Sequence, residues 1–391
     1  MAEAEPKLRL ALVGAFPFPL PQGSQVYLAE QARALARAGA EVCVVCYGRG
    51  AEVHAPAFDA LAAAGVEIVR ARPALSHAPL RAGPSWRKPV ADAALAQALA
   101  SAHRRRPFDL VLAHNAEAGL VALALRRRLQ LPFVYVVHTL LGVELSAYAP
   151  AVLAAGADAI GARIDRLLAQ RADAVIALAA DAGRALAGRA RGPVRTIPPG
   201  LDPAPPPADA EIDAACGRAG MPRGGFALFA GNLDRYQDLA ELAVAARLLD
   251  GAPLVCVATH DPERTPPPPL RSVRLRDATE GRALLHGAAL ALLPRRRRGG
   301  FPVKLLNYME ARRAIVARAG VADGLVHGES AWLLGAADGA GSLARAVRTL
   351  AGDRALAARL GEGGRVVLER RHAWPDLARE TLALCAAVRA Q

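Results

Sequence analysis

Short apolar runs alternate with longer amphipathic stretches from one end of the chain to the other. Leu8–Gly14, Val42–Tyr47, Val66–Val69, Leu110–Ala113, Val134–His138 and Ala174–Leu178 read as strands. Between them, Ser24–Ala38 places Val26, Leu28, Ala32, Leu35 and Ala36 at helical spacing, and Val90–Ala102 and Gly119–Leu129 also read as helices. Strands that are apolar on both faces and separated by helices predict a parallel sheet covered on both sides. Right-handed crossovers make such a sheet doubly wound.

The alternation stops at Pro198–Pro207, where prolines are too dense for a helix or an internal strand, and this stretch reads as a semi-rigid linker. Beyond it the pattern restarts with strands at Phe226–Ala230, Leu254–Ala258, Ser272–Leu275, Ala289–Leu293 and Ile315–Ala317. Helices are expected at Leu239–Leu249, Gly281–Leu285 and Val303–Arg312, and a helical tail over Gly341–Ala390 with breaks near Asp353, Gly361–Gly364 and Pro375. The expected fold class is therefore α/β, with two Rossmann-like doubly wound domains facing across a cleft. They span residues 1–197 and 208–372, with a proline-rich hinge at 198–207 and a final helix at 373–391 packing back on the first domain. Ligands of such sheets bind outside the carboxyl ends of the strands.

Composition changes the picture in two places. The chain has 391 residues, 53% of them apolar, enough for two cores, and a net charge of +13. Lys7, Lys88 and Lys304 are its only lysines, so the positive charge is almost wholly arginine. Arg104–Arg106 and Arg126–Arg128 each follow a helical segment and are expected either to complement a helix dipole or to form a face for anionic lipid. Nucleic acid is disfavoured as the anion, because the arginine clusters lack interleaved aromatics and aromatic residues are only 4% of the chain. The five cysteines are spread out, and Cys43 and Cys46 fall inside an apolar strand run, which favours core packing over metal or redox chemistry. With no signal-like amino end and no apolar run near ~20 residues, a cytoplasmic location is expected, at most peripheral to a membrane.

Candidate chemistry collects at strand ends. Gly23 and Ser24 follow the first strand, and Ser24 is expected to cap the next helix. His114 and His138 close two strands at the same sheet edge, and Glu144 and Tyr148 are spaced to share a helical face beyond them. In the second half, Gly231-Asn232-Leu233-Asp234-Arg235-Tyr236-Gln237 is a glycine turn between strand and helix, an arrangement that offers backbone N–H groups to phosphate. Arg295–Arg298 then precede Gly299, Gly300 and a helix carrying Lys304 and Asn307, three residues apart. Guanidinium and ammonium groups in such a place suit a diphosphate.

These segments resemble the retaining glycosyltransferases of family 4, whose architecture is GT-B. FPFPLPQGSQVYLAEQARALARAGAEVCVVCY is similar to the acceptor-side loop and first helix, and VYVVHTLLGVELSAY to the central histidine segment. TIPPGLD resembles the entry to the second domain, FAGNLDRYQDLAEL the phosphate turn, GFPVKLLNYMEARRAIVA the donor signature and LVHGESAWLL the glycine-rich segment after it. The resemblance implies sugar transfer from a nucleotide-sugar to a glycan or lipid-linked acceptor, with retention, no metal and no cofactor. Together with the strand-end reading it makes His138 the catalytic candidate, and Gly231, Asn232, Arg235, Gln237, Arg298, Lys304 and Asn307 the donor-binding ones. Gly23, Ser24, His114 and Glu144 fall on the acceptor side.

The chain departs from the family at four of these positions. The arginine and lysine of the usual phosphate turn are Asn232 and Gln237 here, and the two glutamates of the usual donor signature are Gly299 and Asn307. Lys304, Arg235 and the Arg295–Arg298 run are expected to supply the missing positive charge. The alternative is a GT-B protein without turnover that serves as a partner in glycan assembly.

Overall fold

The computed structural model describes residues 7–18, 23–48, 55–72, 87–261 and 264–391. The chain divides into two compact units, each built on its own parallel sheet.

The first unit comprises residues 1–200, Gly299–Phe301 and Trp374–Gln391. Its elements are β1 (Arg9–Pro17), α1 (Gly23–Arg37), β2 (Glu41–Tyr47), α2 (Ala55–Ala63), β3 (Glu67–Arg70), α3 (Lys88–Arg105), β4 (Leu110–His114) and α4 (Asn115–Leu129). They continue with β5 (Phe133–Val137), α5 (Leu141–Tyr148), α6 (Ala154–Arg171), β6 (Ala174–Ala177), α7 (Ala180–Ala187) and β7 (Val194–Thr196). The strand order β3-β2-β1-β4-β5-β6-β7 reverses direction between β1 and β4. There Gly14 is in register with His114, so the histidine stands at the carboxyl edge of the switch point. Residues of β1, β4 and β5 are fully buried because helices cover both faces, which is why these strands read as unbroken apolar runs.

The second unit holds Leu201–Arg298 and Pro302–Ala373. It contains α8 (Asp209–Ala219), β8 (Phe226–Ala230), α9 (Leu239–Leu248), β9 (Leu254–Thr259), β10 (Arg271–Arg274), α10 (Ala278–Gly287), β11 (Leu290–Leu293) and α11 (Lys304–Glu310). After them come β12 (Ala314–Arg318), β13 (Trp332–Leu334), α12 (Ala340–Gly352) and α13 (Arg354–Arg371). Its order β10-β9-β8-β11-β12-β13 puts the switch point between β8 and β11. The glycine turn follows β8 and the arginine run follows β11, so both candidate segments leave the sheet at that point. The last helix, α14 (Trp374–Arg389), belongs to the first unit, where the indole of Trp374 covers Gly200; a Cβ at Gly200 would come within 2.6 Å of that ring.

Several expectations need correction. The helix break expected at Gly361–Gly364 does not occur, because α13 runs through it. A Cβ at Gly361 would strike the carbonyl of Arg312, and one at Gly363 the carbonyl of Glu329, so these glycines allow close backbone approach rather than a bend. Ser24 is the second residue of α1 and lies inside the helix, not at its cap. β1 continues past Gly14 to Pro17 across a shift in register with β2, where a loop was expected to begin at Ala15. Helices α2 and α6 to α8 and strands β7 and β13 are found where the apolar pattern had marked no element, and α5 carries the helical face expected of Glu144 and Tyr148. Both cysteines of the CxxC are buried within β2, and burial pushes the Cys46 thiol up to about 12.

Candidate active site

At the switch point of the second unit, Gly231 adopts φ +146, and a Cβ there would collide with the Lys304 ammonium. Glycine is favoured by its backbone angle, and any Cβ would displace the end of the lysine above it. The ammonium lies 3.9 Å from the centre of the Phe229 ring and donates to Gln237 Oε1 at 3.2 Å. Gln237 in turn donates to Asn232 Oδ1 at 2.7 Å, while Asn232 Nδ2 donates to Asp234 (2.7 Å) and to the Tyr236 hydroxyl (3.1 Å). Gly231, Asn232, Gln237 and Lys304 thus come together as one cluster. On the turn one amide, Gln237, itself held by Asn232, binds a lysine supplied by α11. Burial pulls the Lys304 pKa down to about 7, with the nearby Arg295 charge adding to the effect and Asp234 opposing it. Taken as a whole residue, Lys304 is partly buried.

The arginine run divides into separate tasks. Arg295 is buried, with its guanidinium 5.4 Å from the Tyr236 ring and Nε donating to the Arg297 carbonyl at 2.8 Å. Arg296 forms a bidentate pair with Glu241 (2.6 and 2.8 Å), and Arg318 pairs with the same carboxylate at 2.5 Å. This bond network commits Arg296 to structure, which corrects the expectation of a run acting as one. Arg298 lies against Gly320 and donates to the Ala319 carbonyl at 3.5 Å. Asn307, one turn beyond Lys304, is exposed. The Arg235 side chain lies outside the described residues, although its backbone forms a short 3-10 turn.

In the first unit His114 and His138 meet. His114 Nδ1 and His138 Nε2 are 2.9 Å apart, both side chains are buried, and their rings cross at 81°. Tyr27 from α1 makes a T-shaped contact with His138 (5.0 Å, 90°) and packs against Trp374 (5.9 Å). The Tyr27 hydroxyl accepts from Gln31 Nε2 at 2.8 Å, one helical turn on. Burial lowers the pKa of His114 well below its usual value and that of His138 to about 3, so both rings are neutral. Glu144 is half-buried in the first turn of α5; burial, with the Glu117 charge adding to it, raises its carboxyl to about 7. Gly23 is exposed at the start of α1. Tyr27, Gln31 and Trp374 were missed by sequence reasoning. Tyr27 and Gln31 had a readable signal, polar groups four apart on an otherwise apolar helix face.

Gly299 has φ +94. Its N–H donates to Asp181 at 2.6 Å, its carbonyl accepts from Leu140 N–H at 2.8 Å, and a Cβ would approach Val143 to 2.9 Å. The local packing selects glycine for its shape. Among the described residues no group of three or more His, Cys, Asp or Glu is placed to hold a metal ion.

Residues 21–205 match the model of glycosyltransferase family 4, and residues 226–353 match that of glycosyl transferases group 1. The chain belongs to glycosyltransferase family 4. No curated protein matches it. Among solved structures, sucrose-phosphate synthase from Thermosynechococcus elongatus superposes with a TM-score of 0.77 at 19% identity, over 98% of this chain and 100% of that one. Anabaena HepE in complex with UDP and glucose gives 0.72 at 15% identity, over 97% and 100%. WaaG, a glycosyltransferase involved in lipopolysaccharide biosynthesis, gives 0.66 at 13% identity, over 96% and 99%. At these identities the likeness is one of fold: this family 4 glycosyltransferase has the two Rossmann-like domains of the GT-B architecture.

Proposed function

We propose that this glycosyltransferase moves a sugar from a nucleotide-sugar to a glycan or lipid-linked acceptor, with retention at the anomeric carbon and without a metal. The observation that carries the reading is Lys304. Its ammonium faces the glycine turn at the switch point, held by an amide and an aromatic ring, with no carboxylate salt bridge among the described residues. A diphosphate supplies the negative charge that this cation lacks. As the sugar–phosphate bond breaks, charge grows on the departing diphosphate, and a fixed cation stabilises it without reorganisation. HepE, with UDP and glucose bound, makes UDP-sugars the first donors to test. Retention rests on the family resemblance.

The membrane partner is better supported at a different surface from the arginine triplets. Arg106 pairs with Glu41, and Arg126 with Asp173, so each triplet is partly neutralised. From the end of α5 into the first turn of α6, by contrast, residues 149–157 carry no charge, and Val152 (87% exposed), Leu153 and Ile160 are exposed, with Asp158 exposed beside them. Arg163, Arg166 and Arg171 follow on α6. An apolar tip flanked by arginines suits the boundary between anionic headgroups and acyl chains.

A second reading, donor binding without turnover, is favoured by Gly299, which puts no carboxylate at the usual acidic position. NMR of the products formed from a panel of UDP- and GDP-sugars separates the two. The expected result is a released or transferred sugar that keeps the donor's anomeric configuration, unaffected by a chelator and lost in Lys304→Ala. An inverted product, loss on chelation, or undiminished activity of the variant overturns the proposal, and binding without product supports the second reading.

A further inference from the structure

The pair His114–His138 shares one hydrogen bond, between Nδ1 of the first ring and Nε2 of the second, 2.9 Å apart. A neutral imidazole carries one proton, so two arrangements exist. In the first, His114 Nδ1–H donates, which leaves His114 Nε2 bare and puts the His138 proton on Nδ1. In the second, His138 Nε2–H donates, which leaves His138 Nδ1 bare and puts the His114 proton on Nε2.

The surroundings distinguish them. His114 is fully buried, and its Nε2 has no hydrogen-bond partner among the described residues. The second arrangement strands an N–H donor in that place, whereas the first leaves only an acceptor nitrogen there. Orphaned buried N–H donors are the rarer of the two in folded proteins. A flip of the His138 ring, which would put Cε1 in place of Nε2 and break the bond to His114, is opposed by Tyr27, at 5.0 Å and 90°, itself packed on Trp374 and tied to Gln31.

We infer that His114 is a positioning residue that fixes the His138 proton on Nδ1, so that His138 presents a hydrogen-bond donor at the end of β5 rather than a basic nitrogen. Its partner is then an oxygen with a lone pair, such as a hydroxyl of the donor sugar or of the acceptor, and proton abstraction falls to another group. Only this last step rests on the proposed function; the ring state belongs to the protein without substrate.

The test is the ¹⁵N spectrum of the histidine rings in the full chain, where protonated and bare nitrogens have well-separated shifts. His114→Phe, His114→Asn and His138→Asn identify the two rings among the nine histidines. The expected pattern is a bare Nε2 and protonated Nδ1 in His138, with a protonated Nδ1 and bare Nε2 in His114. In His114→Phe both His138 nitrogens move toward the averaged shifts of a ring exchanging tautomers, and in His114→Asn, whose amide restores a hydrogen bond, they stay apart. The reverse pattern in the parent protein overturns the inference, and so do unchanged His138 shifts in His114→Phe. The parent spectrum decides even where that variant fails to fold. Expected ring shifts together with no sugar transfer from any donor would remove the proposed function and leave the tautomer assignment standing.

Discussion

Lys304 Nζ donates to Gln237 Oε1 across 3.2 Å, so a neutral amide, not a carboxylate, holds the cation at the second sheet's switch point. The arrangement sacrifices stability for charge at one place. A buried lysine without a carboxylate salt bridge among the described residues costs free energy in the folded state, and its depressed pKa expresses that cost.

A pH-dependent stability follows. An unfolded lysine keeps its proton to about pH 10.5, whereas Lys304 releases it near 7 in the folded chain. Between those values the unfolded chain binds more protons, so stability rises with pH across that window and the penalty is full below it. Lys304→Met is therefore expected to exceed the parent protein in stability at pH 6, by on the order of 1 kcal/mol, with the gain shrinking toward pH 10. Urea denaturation at pH 6 and 9.5 measures it; a variant less stable than the parent at pH 6 contradicts the assignment.

Gly231→Ala places a methyl group in contact with the Lys304 ammonium, at a backbone angle that favours glycine. The expected cost is about 1–3 kcal/mol of stability. Nucleotide affinity is expected to fall by about tenfold or more as the lysine is displaced, since each 1.4 kcal/mol lost is tenfold. Calorimetric titration of the folded variant with UDP reads the second effect, and parent-like affinity would show that the lysine does not serve the nucleotide.

Restoring the family's acid should fail. Gly299 is in the left-handed region at φ +94, with Val143 2.9 Å from any added Cβ. Gly299→Glu is expected to lose about 1–3 kcal/mol and to gain no activity. A variant as stable as the parent and faster in sugar transfer would show that the glutamate was merely missing and that packing had not excluded it.

The membrane surface is tested by flotation with vesicles of anionic phospholipid. Val152→Asp with Leu153→Asp is expected to abolish flotation at low salt, whereas neutralising Arg104 and Arg105 leaves most of it. The opposite ranking returns the membrane face to the arginine triplets, and no flotation of the parent protein removes it.

Much of the fold was legible because parallel strands buried on both faces leave an apolar signal that side-chain detail does not disturb. Strands β1, β2, β4, β5, β8, β9 and β11 all announce themselves this way. The tail break at Gly361–Gly364 was misread for a general reason. Glycine marks either a bend or a close approach, and only tertiary structure tells which. Helix α6 was not legible because alanine and glycine over residues 149–162 blur the helical period. At the candidate site, residue types were readable and partnerships were not. Glu241, distant in sequence from Arg296 and Arg318, removes one arginine from the expected phosphate set. Phe229 beneath Lys304, and Tyr27 and Trp374 around the histidine pair, depend on contacts between elements far apart in the chain.

The central claim is that Lys304 receives the diphosphate of a nucleotide-sugar. Titration calorimetry of UDP and GDP into the parent protein and Lys304→Met, at pH 7 in two buffers of different ionisation enthalpy, tests it most directly. The prediction is that the parent binds one of the nucleotides with uptake of a proton, because the diphosphate restores the charge of a lysine half-deprotonated at that pH, and that the variant binds weakly or not at all. Equal affinity in the two proteins, or binding to the parent with no change in protonation, would contradict it.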